Sequence, residues 1–186
     1  KDKTNKIYQF TALVCLLANV SIYSTMVSLS IMLVHLIDLI KNRSDLDQKA
    51  IMKQVKAYIA FAIVIALIVI QLWQPQDSSF ARGFNFSVQR FLNLSYGVLN
   101  EAMTEVIYIS ALVLIISLIW FWQNRLLLLY LISTVTVLSL FSTKYYNSWH
   151  QGIIFLVWAF VMWISFEEQN YKRLNKLSGL TRKLVI

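Results

Sequence analysis

The chain has 186 residues and a formal net charge of +8, and 58% of its residues are hydrophobic, against roughly 45–50% in a soluble domain. With a mean hydropathy of +0.61, that excess argues against an ordinary soluble domain and asks for a nonaqueous surrounding. The basic residues sit in short segments beside apolar runs, so they read as determinants of orientation in a bilayer and not as a nucleic-acid surface.

Four Gly and one Pro leave little of the punctuation that separates the strands of a barrel, and the apolar runs are continuous instead of alternating, so helices are the expected spanning element. The single cysteine, Cys15, lies inside an apolar run and has no internal partner for a disulfide. The chain opens at Lys1 and lacks the short apolar core and small-residue cleavage site of a signal peptide, which suggests a processed chain or part of a longer one.

A bilayer core about 30 Å thick needs about 20 helical residues. By that ruler the first segment, Phe10 to Ile40, is too long for one upright span, yet it holds neither Gly nor Pro, so it is expected as one long helix, tilted or extended into a stalk. Lys41 to Lys56 is charged and reads as a solvated loop, with Ser44 placed to cap a short helix. The second span runs from Ala57 to Trp73, closed by Gln74 and Pro75. From Phe80 to Leu99, Phe84, Val88, Phe91, Leu92, Ser95, Val98 and Leu99 fall at helical spacing opposite Arg82, Asn85, Gln89 and Asn93. That pattern is an amphipathic helix on the membrane surface or packed over the bundle. The third span is Met103 to Gln123, the fourth Leu126 to Ser142 and the fifth Gly152 to Phe166. The tight turn Gln123, Asn124, Arg125 makes spans three and four antiparallel neighbours. The expectation is therefore an all-α transmembrane bundle of about five spans plus one amphipathic helix, in a single domain.

Five alternating spans place Lys1, Lys3, Lys6, Arg82, Arg90 and Lys144 on one side. Lys41, Arg43, Lys49, Lys53, Lys56, Arg125, Lys172, Arg173, Lys176, Arg182 and Lys183 fall on the other. The more basic side is cytoplasmic, which puts the N-terminus outside and the C-terminus inside. If the first segment is two spans, the N-terminus moves inside and every later assignment survives.

Polar residues within spans are candidates for function. Ser21, Ser24, Ser28, His35 and Asp38 recur on roughly one face of the first segment, with Asn19 nearby. That face reads either as helix packing, with Ser24 and Ser28 a small-xxx-small pair, or as a polar path ending in a proton-exchanging His35 and Asp38. A second group gathers on the outer side: Asp77, Glu101, Glu105 and His150 as candidate catalytic residues, with Arg82, Arg90 and Trp149 as candidate binding residues. Glu101 and Glu105, one turn apart, face one way and repel unless a cation intervenes. Acids, a histidine and arginines suit general acid/base work on a lipid-linked substrate or a divalent metal held by carboxylate oxygens, and equally form the solvated rim of any outer loop.

No GxGxxG, P-loop, HExxH, CxxC or GxSxG pattern occurs in the sequence, which argues against nucleotide hydrolysis and zinc chemistry within these residues. The sequence does not say which cofactor, if any, the chain takes. Trp149, Trp158, Trp163, Phe155, Phe160 and Phe166 admit a pigment or quinone pocket, but aromatic packing and interfacial anchoring explain them as well.

The strings Ala18-Asn19-Val20-Ser21, Pro75-Gln76-Asp77 and Trp149-His150-Gln151-Gly152 resemble scattered points of bacterial multi-pass membrane proteins related to lipid-sugar-using glycosyltransferases. Where that family tends to carry Arg before the histidine, this chain has Trp149. The resemblance implies a C-terminal half without the early outer loop that holds the catalytic acid. The functional expectation is a noncatalytic subunit or scaffold of a membrane assembly, in contact with the bilayer and other membrane chains. The alternative is a membrane enzyme acting on a lipid-linked sugar or lipid, and the third option is a transporter component.

Overall fold

The apolar stretch from Phe10 to Ile40 folds as two helices. In the computed structural model, which describes residues 3–42, 47–72, 86–145 and 150–184, α1 spans Lys3–Ala18 and α2 spans Ile22–Lys41. The Asn19 amide donates to the Cys15 carbonyl at 2.8 Å and closes α1. The Ser21 hydroxyl accepts from the Ser24 backbone N–H at 3.1 Å and caps α2. Buried Thr25 then ties the two, its hydroxyl 2.8 Å from the Ala18 carbonyl. A single long helix fails because short polar side chains offer the backbone alternative partners, so Asn19 and Ser21 turn the chain without Gly or Pro.

The two helices run antiparallel. Val14 of α1 and Met32 of α2 share a buried cluster with Phe61 of α3, Gln48–Leu72, and the Phe10 ring lies 5.3 Å from that of His35. Helix α3 starts well before the expected Ala57 because Asp47 accepts from the Ala50 N–H at 2.8 Å and caps it. Much of the segment read as a loop is therefore helix, whereas Ser44, Trp73 and Pro75 lie outside the described residues.

Helix α4, Val88–Met103, is followed at an angle of 88° by α5, Ile107–Gln123. The amphipathic helix expected over residues 80–99 thus begins at Val88, behind the Ser87 cap, and runs on to Met103; residues 80–85 lie outside the described set. Val98 and Ala102 are buried, and Phe91, Leu94 and Leu99 pack with them against Val137, Phe141 and Ile154. These residues pack the helix over the bundle, whereas Val88 and Leu92, expected on the same face, are exposed. The helix expected as a third span starts at Ile107 and not at Met103, because Thr104 ends α4 and Glu105 turns left-handed with φ 62.

Asn124 closes α5, Arg125 takes φ 60, and the Leu126 N–H reaches the Phe121 carbonyl at 2.9 Å. This Schellman-type stop makes the tight turn expected there. Helix α6, Leu127–Leu140, then packs chiefly against α2, and touches α5 less extensively. It ends in a π-helical turn, Phe141–Tyr145, and α7 covers Gly152–Leu184. At 33 residues, or roughly 50 Å of helix, α7 is the longest element. The stalk expected on the first helix has no counterpart there.

Among the described residues, α2 and α3 are long and apolar enough to cross a membrane, and a third span is reached if the bent pair α4 and α5 counts as one. This is fewer than the five expected. Helices α5 and α6 have 17 and 14 residues, roughly 26 and 21 Å against a core of about 30 Å. The apolar parts of α1 and α7 are likewise short.

Spin labels at exposed Leu13 and Leu33 test the reversal directly. Neighbouring antiparallel helices hold them within about 20 Å, whereas one continuous helix would separate them by about 30 Å.

Candidate functional site

The polar face expected along α2 is divided by the fold. Asn19 and Ser21 lie in the reversal, and the Ser21 and Ser24 hydroxyls sit 3.0 Å apart. Ser28 is completely buried, and its hydroxyl has no hydrogen-bond partner among the described residues. His35 Nδ1 is 2.6 Å from the Tyr58 hydroxyl of α3, which also reaches the Met32 carbonyl at 3.3 Å. Asp38 is exposed. Met32, buried between Val14 and Phe61, stands between Ser28 and His35 along α2.

The outer group is dispersed as well. Glu101 is exposed in the last turn of α4, while Glu105 is exposed in the left-handed linker that follows. The two carboxylates do not share one helix, so the one-turn pairing expected of them does not form. The reason is local: the Asn100 side-chain amide donates to the Glu105 carbonyl at 3.3 Å and holds the chain in its turn. Arg90 is exposed in the first turn of α4, and Asp77, Arg82 and Trp149 lie outside the described residues. No group of three or more metal-ligating side chains assembles among the described residues.

Among the described members of that group, His150 is the one that packs against the bundle. Its Nδ1 lies 2.9 Å from the Tyr23 hydroxyl, and its ring stacks at 6.2 Å on Phe141 and lies 5.0 Å from the Tyr23 ring. Tyr23 and Tyr58, each the partner of a histidine, went unnoticed in the sequence. Their only signal was a tyrosine within an apolar run, and the partners lie 127 and 23 residues away.

Further side-chain bonds among the described residues join helices. The Ser30 and Thr136 hydroxyls link α2 to α6 at 3.1 Å. The Trp158 indole of α7 donates to Ser117 of α5 at 2.8 Å, and the Trp120 indole of α5 donates to Ser165 of α7 at 2.8 Å. These reciprocal bonds account for Trp158 as a packing residue. Phe155 rests against it at 5.5 Å, while Trp163 and Phe166 are exposed.

Beside the Tyr23 and His150 pair, α1, α2 and α7 enclose an open apolar groove of about 280 Å³, with Ser21 and Ser24 at its edge and Phe160 in its wall. Comparison with family models, curated proteins and solved structures finds no match for the chain. Its class rests on the fold itself: an all-α bundle containing two to three helices long and apolar enough to cross a membrane.

Replacing Ser117 by Ala should destabilise the detergent-solubilised protein by about 0.6–2 kcal/mol, because the half-buried Trp158 indole N–H loses its acceptor. Replacing Trp158 by Phe as well should remove most of that additional loss. Reversible unfolding in mixed detergent measures both, and fully additive effects would contradict a coupled pair.

Proposed function

We propose that the chain is a multi-pass integral membrane protein working as a noncatalytic subunit or scaffold of a membrane assembly. The observation that carries this reading is how its polar side chains are used. Tyr23 with His150, Ser30 with Thr136, His35 with Tyr58, Ser117 with Trp158 and Trp120 with Ser165 all join the chain's own helices. Meanwhile α3 presents exposed Ile59, Ile63, Leu67 and Ile70, and α5 presents Ile109, Leu112, Ile116 and Ile119. Such faces need a covering of lipid or of another apolar helix.

In this reading α1, α2, α3, α5, α6 and α7 each cross the membrane, and α4 lies across one end. The shorter helices are accommodated by local thinning of the bilayer at a modest energetic cost. Because the chain reverses between α1 and α2, Lys1, Lys3 and Lys6 join the residue 41–56 segment, Arg125 and the basic tail on one side. Arg82, Arg90 and Lys144 remain opposite. That asymmetry makes both ends cytoplasmic, with the N-terminus moved inside from the five-span expectation.

Burial of Ser28 shifts where a partner would dock. A leucine there would disturb the chain's own core, so assembly is better probed on the exposed faces. A photoreactive amino acid at Ile63 of α3 should crosslink a second protein chain in native membranes. Crosslinks to lipid alone, from both Ile63 and Ile116, would count against the scaffold.

A second reading is an enzyme acting on a lipid or lipid-linked substrate, favoured by the Tyr23 and His150 pair standing beside an apolar groove. Under it, His150→Ala or Glu101→Ala should abolish turnover without lowering the yield of folded protein. Unchanged turnover in both variants would refute it.

A further inference from the structure

The groove between α1, α2 and α7 is walled by Leu17, Val27, Leu156 and Phe160 and edged by Ser21 and Ser24. We infer that it holds one hydrocarbon chain of a zwitterionic membrane phospholipid, with the polar head beside the two serines. This rests on the membrane reading above and adds to it a specific ligand site.

Size comes first. An apolar cavity of about 150 Å³ admits a benzene ring, so a groove of about 280 Å³ holds a stretch of chain on the order of ten carbons and not a whole lipid. Access comes second. Leu156 lines the groove yet is 64% exposed, and Leu13 and Leu16 of α1 are exposed in the same way. The open side therefore continues the apolar surface that faces lipid, where a hydrocarbon chain is the occupant at hand. Water is a poor alternative because the walls give it few of the 2–4 polar partners it needs.

Polarity and charge come third. Hydrophilic groups gather at one end only, where the Ser21 and Ser24 hydroxyls lie 3.0 Å apart beside the exposed turn residues Asn19 and Val20. Tyr23, bonded to His150, completes that end. This is the arrangement an amphiphile needs, with its tail along the helices and its head at the chain reversal. None of the described residues lining the groove is charged, so a headgroup without net charge suits it better than an anionic one.

The test uses the full chain, purified in mild detergent, stripped of lipid and titrated in native mass spectrometry with two diacyl phospholipids of identical tails. One has a phosphocholine head and the other a phosphoglycerol head. The expected result is one phosphocholine lipid per chain, bound about tenfold more tightly than its anionic counterpart. Leu156→Trp, at the mouth of the groove, should weaken that binding tenfold or more, whereas Ile116→Trp on the exposed face of α5 should leave it unchanged. Equal binding by both lipids, equal loss in both variants, or occupation of the groove by a second copy of the chain would each overturn the inference. A tail-diazirine phosphocholine lipid checks the unmodified chain: labelling concentrated at Leu17 and Phe160 supports the site, and even labelling over all exposed helices overturns it. Failure of the membrane reading would show separately, as release of the chain from membranes by alkaline carbonate.

Discussion

A polar group placed in an apolar layer is costly unless it finds a partner within the protein, and on α2 Tyr23, Ser30 and His35 find one while buried Ser28 has none among the described residues. The first turn of α2 needs a cap, supplied by Ser21, and supplying it requires an extended residue where a continuous helix would run through. The reversal follows from that one requirement. Once α1 has folded back, Thr25 can reach the Ala18 carbonyl, Val14 can meet Met32, and α3 can close over both through Phe61.

From α2 the same constraint spreads through the bundle. Its Tyr23, Ser30 and His35 reach respectively the entrance of α7, α6 and α3, so three neighbours are registered against one helix. Helices α5 and α7 are registered against each other by the two tryptophan–serine bonds. Each such bond contributes about 0.6 kcal/mol on average in an apolar bundle, so five together supply a few kcal/mol. That is a sizeable part of the roughly 5–15 kcal/mol by which folded proteins are stable. Directional bonds also select one packing arrangement among apolar surfaces that would otherwise slide.

Much of the architecture was legible in the sequence because it depends on local composition. The helical class, the tight turn at Asn124 and Arg125, the surface role of Gln89 and Asn93, and the burial of Val98 all follow from periodicity and turn chemistry. The reversal at Asn19 to Ser21 was not legible, because the usual breakers are absent and the outcome depends on side-chain capping. Asp47 likewise extends α3 backwards through a single carboxylate bond. The candidate site was less legible still. His35 and His150 were visible as polar residues, but their tyrosine partners are chosen by tertiary packing over long separations. Glu101 and Glu105 pair only on a helix that runs through both, and α4 stops at Met103.

The proposed topology has an even number of crossings, built on the α1 and α2 reversal, and both ends on the cytoplasmic side. In a Cys15→Ala background, single cysteines at Lys6, Asp47 and Tyr96, all exposed positions, should be probed with a membrane-impermeant thiol reagent added to intact cells. The predicted result is labelling at Tyr96 alone, with Lys6 and Asp47 reacting only after the cells are opened. Labelling of the Lys6 position from outside, with Asp47 protected, would contradict it and restore a single first crossing.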